Sequence, residues 1–89
     1  MTLKLRDGVS SADTDYGIML LDEDSGRYWN LNPSAAQVLR TLLAGGTPDE
    51  AARELTGRYP VDAATAERDV GELLDGLRAA GLLEREHAP

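Results

Sequence analysis

The stretch GRYWNLNPSAAQVL, residues 26–39, carries the only tryptophan of the chain and turns an extended run into a helix with no residue spare between them. From Arg27 to Leu31 the residues suit a strand with Arg27, Trp29 and Leu31 on one face and Tyr28 and Asn30 on the other, because successive strand side chains alternate. The strand must stop at Asn32-Pro33. Asn32 can accept the unpaired N–H groups of a helix start, and Pro33 fits the first helical position, where its missing donor costs nothing. A helix over residues 33–44 follows, with Ala35, Val38, Leu39 and Leu42 at helical spacing and Gly45-Gly46 as its stop.

Outward from this junction toward the N-terminus, Gly26 closes the turn signal EDSG, which predicts a hairpin with the preceding strand YGIMLLD, residues 16–22. That segment is apolar on both alternating faces, Tyr16, Ile18 and Leu20 against Met19 and Leu21, as expected of a strand in the middle of a sheet or under a helix. Farther upstream Leu3 and Leu5 alternate with Lys4 and Arg6. A first strand is therefore expected over residues 3–9, and the small polar residues 10–15 read as a loop.

Toward the C-terminus, TPDE opens a second helix: Thr47 caps it, Pro48 takes the first position and Glu50 can complete a capping box. Ala51, Ala52 and Leu55 form a thin apolar stripe, and Pro60 prevents continuation. A third helix is expected over residues 62–80, with Ala66, Val70, Leu73, Leu74 and Leu77 on one face and Gly81 just past its end. Leu82 and Leu83 then fold back on the core, and the tail, residues 84–89, is expected to fray. Three strands followed by three helices make an α+β fold, winged-helix-like with the three-stranded antiparallel sheet placed first. Residues 1–89 form a single domain whose ordered core spans about residues 3–83.

A domain of 89 residues buries only about 60 to 65% of its unfolded surface, so the core is modest. There is no phenylalanine, and Tyr16, Tyr28, Trp29 and Tyr59 are the only large rings available to it. The absence of cysteine excludes a disulfide scaffold, a thiolate zinc site and a cysteine nucleophile. The N-terminal residues lack the apolar run of a signal peptide and no segment reaches the ~20 apolar residues of a membrane span, which implies a cytoplasmic protein without membrane association.

Catalytic signals are missing. The only histidine, His87, lies in the polar tail, and without a second histidine or a cysteine no nucleophilic triad can be assembled except from carboxylates. The carboxylates of Asp22-Glu23-Asp24 and of Asp69, Glu72 and Asp75 fall on a turn and on the solvent side of a helix, where such groups usually face water. Neither set has calcium-loop spacing, and no glycine-rich phosphate loop follows a strand. The chain reads as a non-enzyme that needs no cofactor or metal. Nucleic acid is an equally poor partner: the net charge is −7, and the helix that a winged-helix protein would lay in the major groove is acidic.

The order and spacing of YGIMLLD, GRYWNLN, the alanine-rich first helix, Asp69-Val70, Leu73-Leu74, Leu77 and the closing Gly81-Leu82-Leu83 resemble the PqqD-like family. The match runs over about residues 3–83. Members of that family are precursor-peptide recognition elements in the biosynthesis of ribosomally made, post-translationally modified peptides (RiPPs). A stand-alone acidic chain of this length looks most like the leader-binding proteins of lasso-peptide pathways. The resemblance implies a precursor leader peptide as partner, together with a leader protease and a cyclase that receive it. It also implies that the leader lies extended beside the third strand, in the groove which that strand makes with the third helix. A chaperone for another modified peptide or cofactor precursor is an alternative within the family, and an acidic winged-helix regulator is an alternative outside it.

Edge-strand physics points the same way. In a three-strand meander the third strand keeps an unpaired edge, to which a peptide can add as a fourth strand. Arg27, Tyr28, Trp29, Asn30 and Leu31 would line the site from the strand, with Leu31 equally readable as plain core. From the helix the candidates are Ala66, Glu67, Asp69, Leu73, Gly76 and Leu77. Gly76 would let a peptide backbone come close. Asp69 could pair with a basic leader residue, for about 1 to 3 kcal/mol if half-desolvated and about 0 to 1 if exposed.

Overall fold

A computed structural model of the chain describes residues 3–84. The elements run β1 (Val9–Thr14), β2 (Gly17–Asp22), β3 (Tyr28–Leu31), α1 (Pro33–Leu43), α2 (Pro48–Arg58) and α3 (Ala63–Ala79). The three strands form one antiparallel sheet in the order β1-β2-β3, so the sheet-then-helices architecture and the central position of β2 follow the expectation.

Helix starts are where local sequence signals dictate structure most directly. The Asn32 Oδ1 accepts the Ala35 N–H at 2.9 Å, with Pro33 at the first helical position. Thr47 and Glu50 make the reciprocal capping box, and Asp62 Oδ1 accepts the Thr65 N–H at 2.7 Å to cap α3. That hydrogen bond holds the Asp62 carboxyl below its ordinary pKa. Gly81 ends the last helix with φ of 72°, a left-handed conformation that glycine adopts without a Cβ penalty.

The first strand is not where the leucine alternation put it. Residues 10–15 were expected to be a loop, yet most of them pair with β2, from Val9 opposite Asp22 to Thr14 opposite Gly17. Leu3 and Leu5 do alternate inward, but their segment pairs with the far end of the chain: Leu5 bridges Leu83, and the Glu84 N–H donates to the Lys4 carbonyl at 2.8 Å. The physical reason is burial. Every residue of β1 after Val9 is exposed, so no apolar period is imposed on it, and its register comes from hydrogen bonding to β2 alone. Residues 85–89 of the expected frayed tail lie outside the described residues.

Two apolar clusters share the interior. One joins the helices through Val38, Leu42, Ala51, Ala52, Leu55, Ala66, Val70 and Leu74. The other seats Ile18 and Leu20 of the sheet on Ala36, Leu39, Leu77 and Leu82. In α1 Ala36 rather than Ala35 is fully buried. Of the rings available to the core only two reach it: Trp29 and Tyr59 are half-buried and pack against its two clusters, whereas Tyr16 sits in the β1–β2 turn at 81% exposure and Tyr28 is 63% exposed on the outer face of the sheet. Three short helices over a small sheet enclose a space that aliphatic side chains fill, and large rings are left at its border. No helix among the described residues is long and apolar enough to cross a membrane.

Candidate functional site

The register of β3 fixes which of its backbone groups are available. Ile18, Met19, Leu20 and Leu21 lie opposite Leu31, Asn30, Trp29 and Tyr28. The Asp22 N–H donates to the Arg27 carbonyl at 2.9 Å, so hydrogen-bonded pairs recur at Leu20–Trp29 and Ile18–Leu31. Tyr28 and Asn30 fall between them and turn their N–H and C=O groups away from β2. Among the described residues no other strand pairs there. The same alternation sends the Trp29 and Leu31 side chains toward the helices and those of Tyr28 and Asn30 to the outer face.

Across from this edge stands α3. No Cα atom of β3 comes within 8 Å of a Cα of α3, so the two elements meet only through side chains, along the line where a groove beside the strand is expected. Trp29 and Leu31 wall it from the strand, while Leu77, Leu73 and Ala80 pack into the same cluster from the helix end. Asp69, Leu73, Gly76 and Ala80 recur at helical spacing on this border of α3. A Cβ added at Gly76 would meet nothing within 4 Å, so the glycine marks open room. Sequence reasoning missed Ala80, although its spacing from Leu73 and Gly76 is the signal that would have found it.

Two of the expected site residues do not join the groove. Ala66 is fully buried in the inter-helix cluster, where nothing docked on the surface can touch it. Glu67 lines an open pocket of about 310 Å³ with Asp49, Ala52, Arg53, Thr56 and Ala63, between α2 and α3. The α2 side takes the Glu67 border of α3, and Leu73 and Ala80 of the opposite border share a cluster with Trp29 and Leu31. Leu77, nearly fully buried, serves as floor rather than wall.

The strand is held in place from both sides. A Cβ on Gly17 would run into the Leu31 carbonyl oxygen, so only glycine lets β2 begin this close to the end of β3. At the other end Asp22 is buried, contrary to the expectation that the Asp22-Glu23-Asp24 carboxylates face water. It receives Arg6 Nη2 at 3.1 Å, the Ser25 hydroxyl at 3.0 Å and the Asp24 N–H at 3.1 Å. Burial pushes the Asp22 carboxyl up, and the hydrogen bonds from Ser25, Arg6 and the Asp24 N–H outweigh it, so its pKa lies below the ordinary value. Arg6 also donates through Nε to the Gly81 carbonyl at 2.8 Å and pairs with Asp24 at 3.1 Å. One guanidinium thereby ties the turn before β3 to the end of α3.

Fold and groove together define a winged-helix-like α+β domain with an open strand edge beside a helix. The chain belongs to the PqqD family: the model described as coenzyme PQQ synthesis protein D matches residues 17–83. Among solved structures, a lasso peptide synthetase B1 complexed with the leader peptide is 41% identical, with a TM-score of 0.88 over 96% of this chain and 100% of that one. TbiB1 in complex with the TbiA(beta) leader peptide is 32% identical, with a TM-score of 0.81 over 96% and 99%. The PqqD truncation of Methylobacterium extorquens PqqCD, a stand-alone RiPP recognition element, is 30% identical, with a TM-score of 0.70 over 93% and 88%. No curated protein matches.

Proposed function

We propose that this chain is a non-catalytic module that binds the leader peptide of a ribosomally made precursor, in a lasso-peptide pathway. The leader docks in extended form as a fourth strand on β3. The observation that carries this reading is the pair of outward-facing backbone groups on Tyr28 and Asn30 beside a groove with apolar walls. Main-chain hydrogen bonds to those two residues hold the guest strand, and alternate guest side chains enter the groove against Trp29, Leu31 and Leu73. Likeness to two proteins solved with leader peptides supports the choice of guest.

In the proposed pathway the module works in the cytoplasm, where precursors are translated, and hands the bound precursor to a separate leader protease and to a cyclase. Holding one end of an otherwise flexible substrate raises its effective concentration at a partner enzyme without any catalytic group on this chain. Titration with the synthetic leader of the precursor encoded beside this protein tests the reading. Trp29, the only tryptophan, is expected to change its emission on binding. Saturating leader that produces neither a spectral change nor calorimetric heat overturns the proposal.

A further inference from the structure

The groove carries opposite charges at its two ends. β3 and α3 run in opposite senses along it: Arg6 ties the end of α3, through the Gly81 carbonyl, to Asp22 and Asp24 of the turn that precedes β3. Arg27, on the Trp29 face by alternation, therefore marks the end where α3 finishes. Asp69, two helical turns before Gly76, marks the end toward Leu31. Both residues are exposed, and neither side chain has an ion-pair partner among the described residues. Between these ends the groove face carries only apolar side chains and Gly76.

We infer that this groove selects its peptide by charge order, taking an acidic side chain at the Arg27 end and a basic one at the Asp69 end. The inference rests on the edge-binding reading above and adds the chemistry of the guest. Groove-facing residues of an extended peptide recur every second position, about 6.6 Å apart. Arg27 and Leu31 are four residues apart on β3, so the two charged guest residues stand four positions from each other with an apolar residue midway. The net charge of −7 attracts any basic peptide without orienting it. Orientation comes from the local pair, because reversing the guest places like charges together at both ends.

Random twelve-residue peptides displayed on phage, selected in parallel on the immobilised full chain, on the Arg27→Glu/Asp69→Lys double variant and on Asn30→Pro, test this. The substituted side chains are all exposed, and circular dichroism verifies that each variant is folded. For a guest antiparallel to β3, wild type is expected to enrich a basic residue followed four positions later by an acidic one around an apolar midpoint, and the double variant to enrich the reversed order. Matched and reversed peptides should differ about fivefold in affinity, as two half-exposed pairs allow. Equal charge statistics on wild type and double variant, in pools that both lose binding on Asn30→Pro, overturn the charge order and leave edge binding standing. Pools that bind Asn30→Pro as well as wild type overturn edge binding itself.

Discussion

At one edge of the sheet β1 turns outward the backbone groups of Ser11 and Asp13, the outward Val9 N–H being taken by the Arg6 carbonyl at 3.0 Å, and at the other β3 turns outward those of Tyr28 and Asn30. Both edges are unpaired in the same three-stranded sheet. Their surroundings differ. No helix has a Cα within 8 Å of β1, whereas α1 comes that close to β3 and apolar side chains of β3 and α3 share one cluster. Asp7, Asp13 and Asp15 put charges along the first edge, and the Asp13 carboxylate is held by Arg40 at 2.9 Å. Charged side chains blunt an edge against pairing. Unpaired backbone therefore does not by itself make a binding strand. A wall of apolar side chains beside it does, because that wall supplies both burial and selection.

The comparison breaks most severely where β2 meets the end of β3. Gly17→Ala forces a Cβ against the Leu31 carbonyl and should destabilise the domain by about 2 to 3 kcal/mol, a fall of roughly 10 to 20 °C in Tm measured by calorimetry. Paired proline substitutions sharpen it next. Asn30→Pro removes an outward N–H at the proposed binding edge and should weaken leader binding by about 1 to 2 kcal/mol, or roughly five- to thirtyfold. Ser11→Pro removes the equivalent N–H at the other edge and should leave leader affinity unchanged, and equal losses from the two would erase the distinction.

Acid titration separates the edges by a different route. The depressed pKa of Asp22 means that the unfolded chain takes up a proton before the folded one does. Its contribution to stability is present above the ordinary carboxylate pKa, about 3.9, and is lost as pH falls through the folded-state value. Urea unfolding of wild type should weaken over that window, and Asp22→Asn should flatten the acid limb. The smallest effect is expected at β1. Arg40→Ala breaks an exposed pair and should cost about 0 to 1 kcal/mol with no change in leader affinity.

What was legible in the sequence follows from how local each cause is. Asn32-Pro33, the Thr47–Glu50 box and Gly81 act within a few residues, so helix boundaries could be read off directly. β2 and β3 were legible because each buries one face. β1 was not, since polar residues that face water on both sides carry no period. Asp22 escaped for a related reason: its burial depends on Arg6, sixteen positions upstream, and nothing in Asp22-Glu23-Asp24 announces such a partner. For the proposed site, the open edge of β3 was legible, while on the helix Ala66 is buried and Glu67 lies on the α2 side. A helical wheel gives two borders, and the one that holds Glu67 was taken by α2.

The strand proposed to bind the leader is short, only four residues, and this sets a ceiling. Tyr28 and Asn30 each offer one N–H and one C=O, so a guest gains at most four main-chain hydrogen bonds, worth about 0.5 to 1.5 kcal/mol apiece. Their sum, about 2 to 6 kcal/mol, falls short of the roughly 8 kcal/mol of micromolar binding even before the guest's ordering entropy is charged against it. Side chains in the groove must supply the difference, which makes the site intolerant of sequences that merely form strands. The same shortness protects the protein from itself: two copies meeting edge to edge would share few bonds and, carrying like net charge, would find no second wall to hold them.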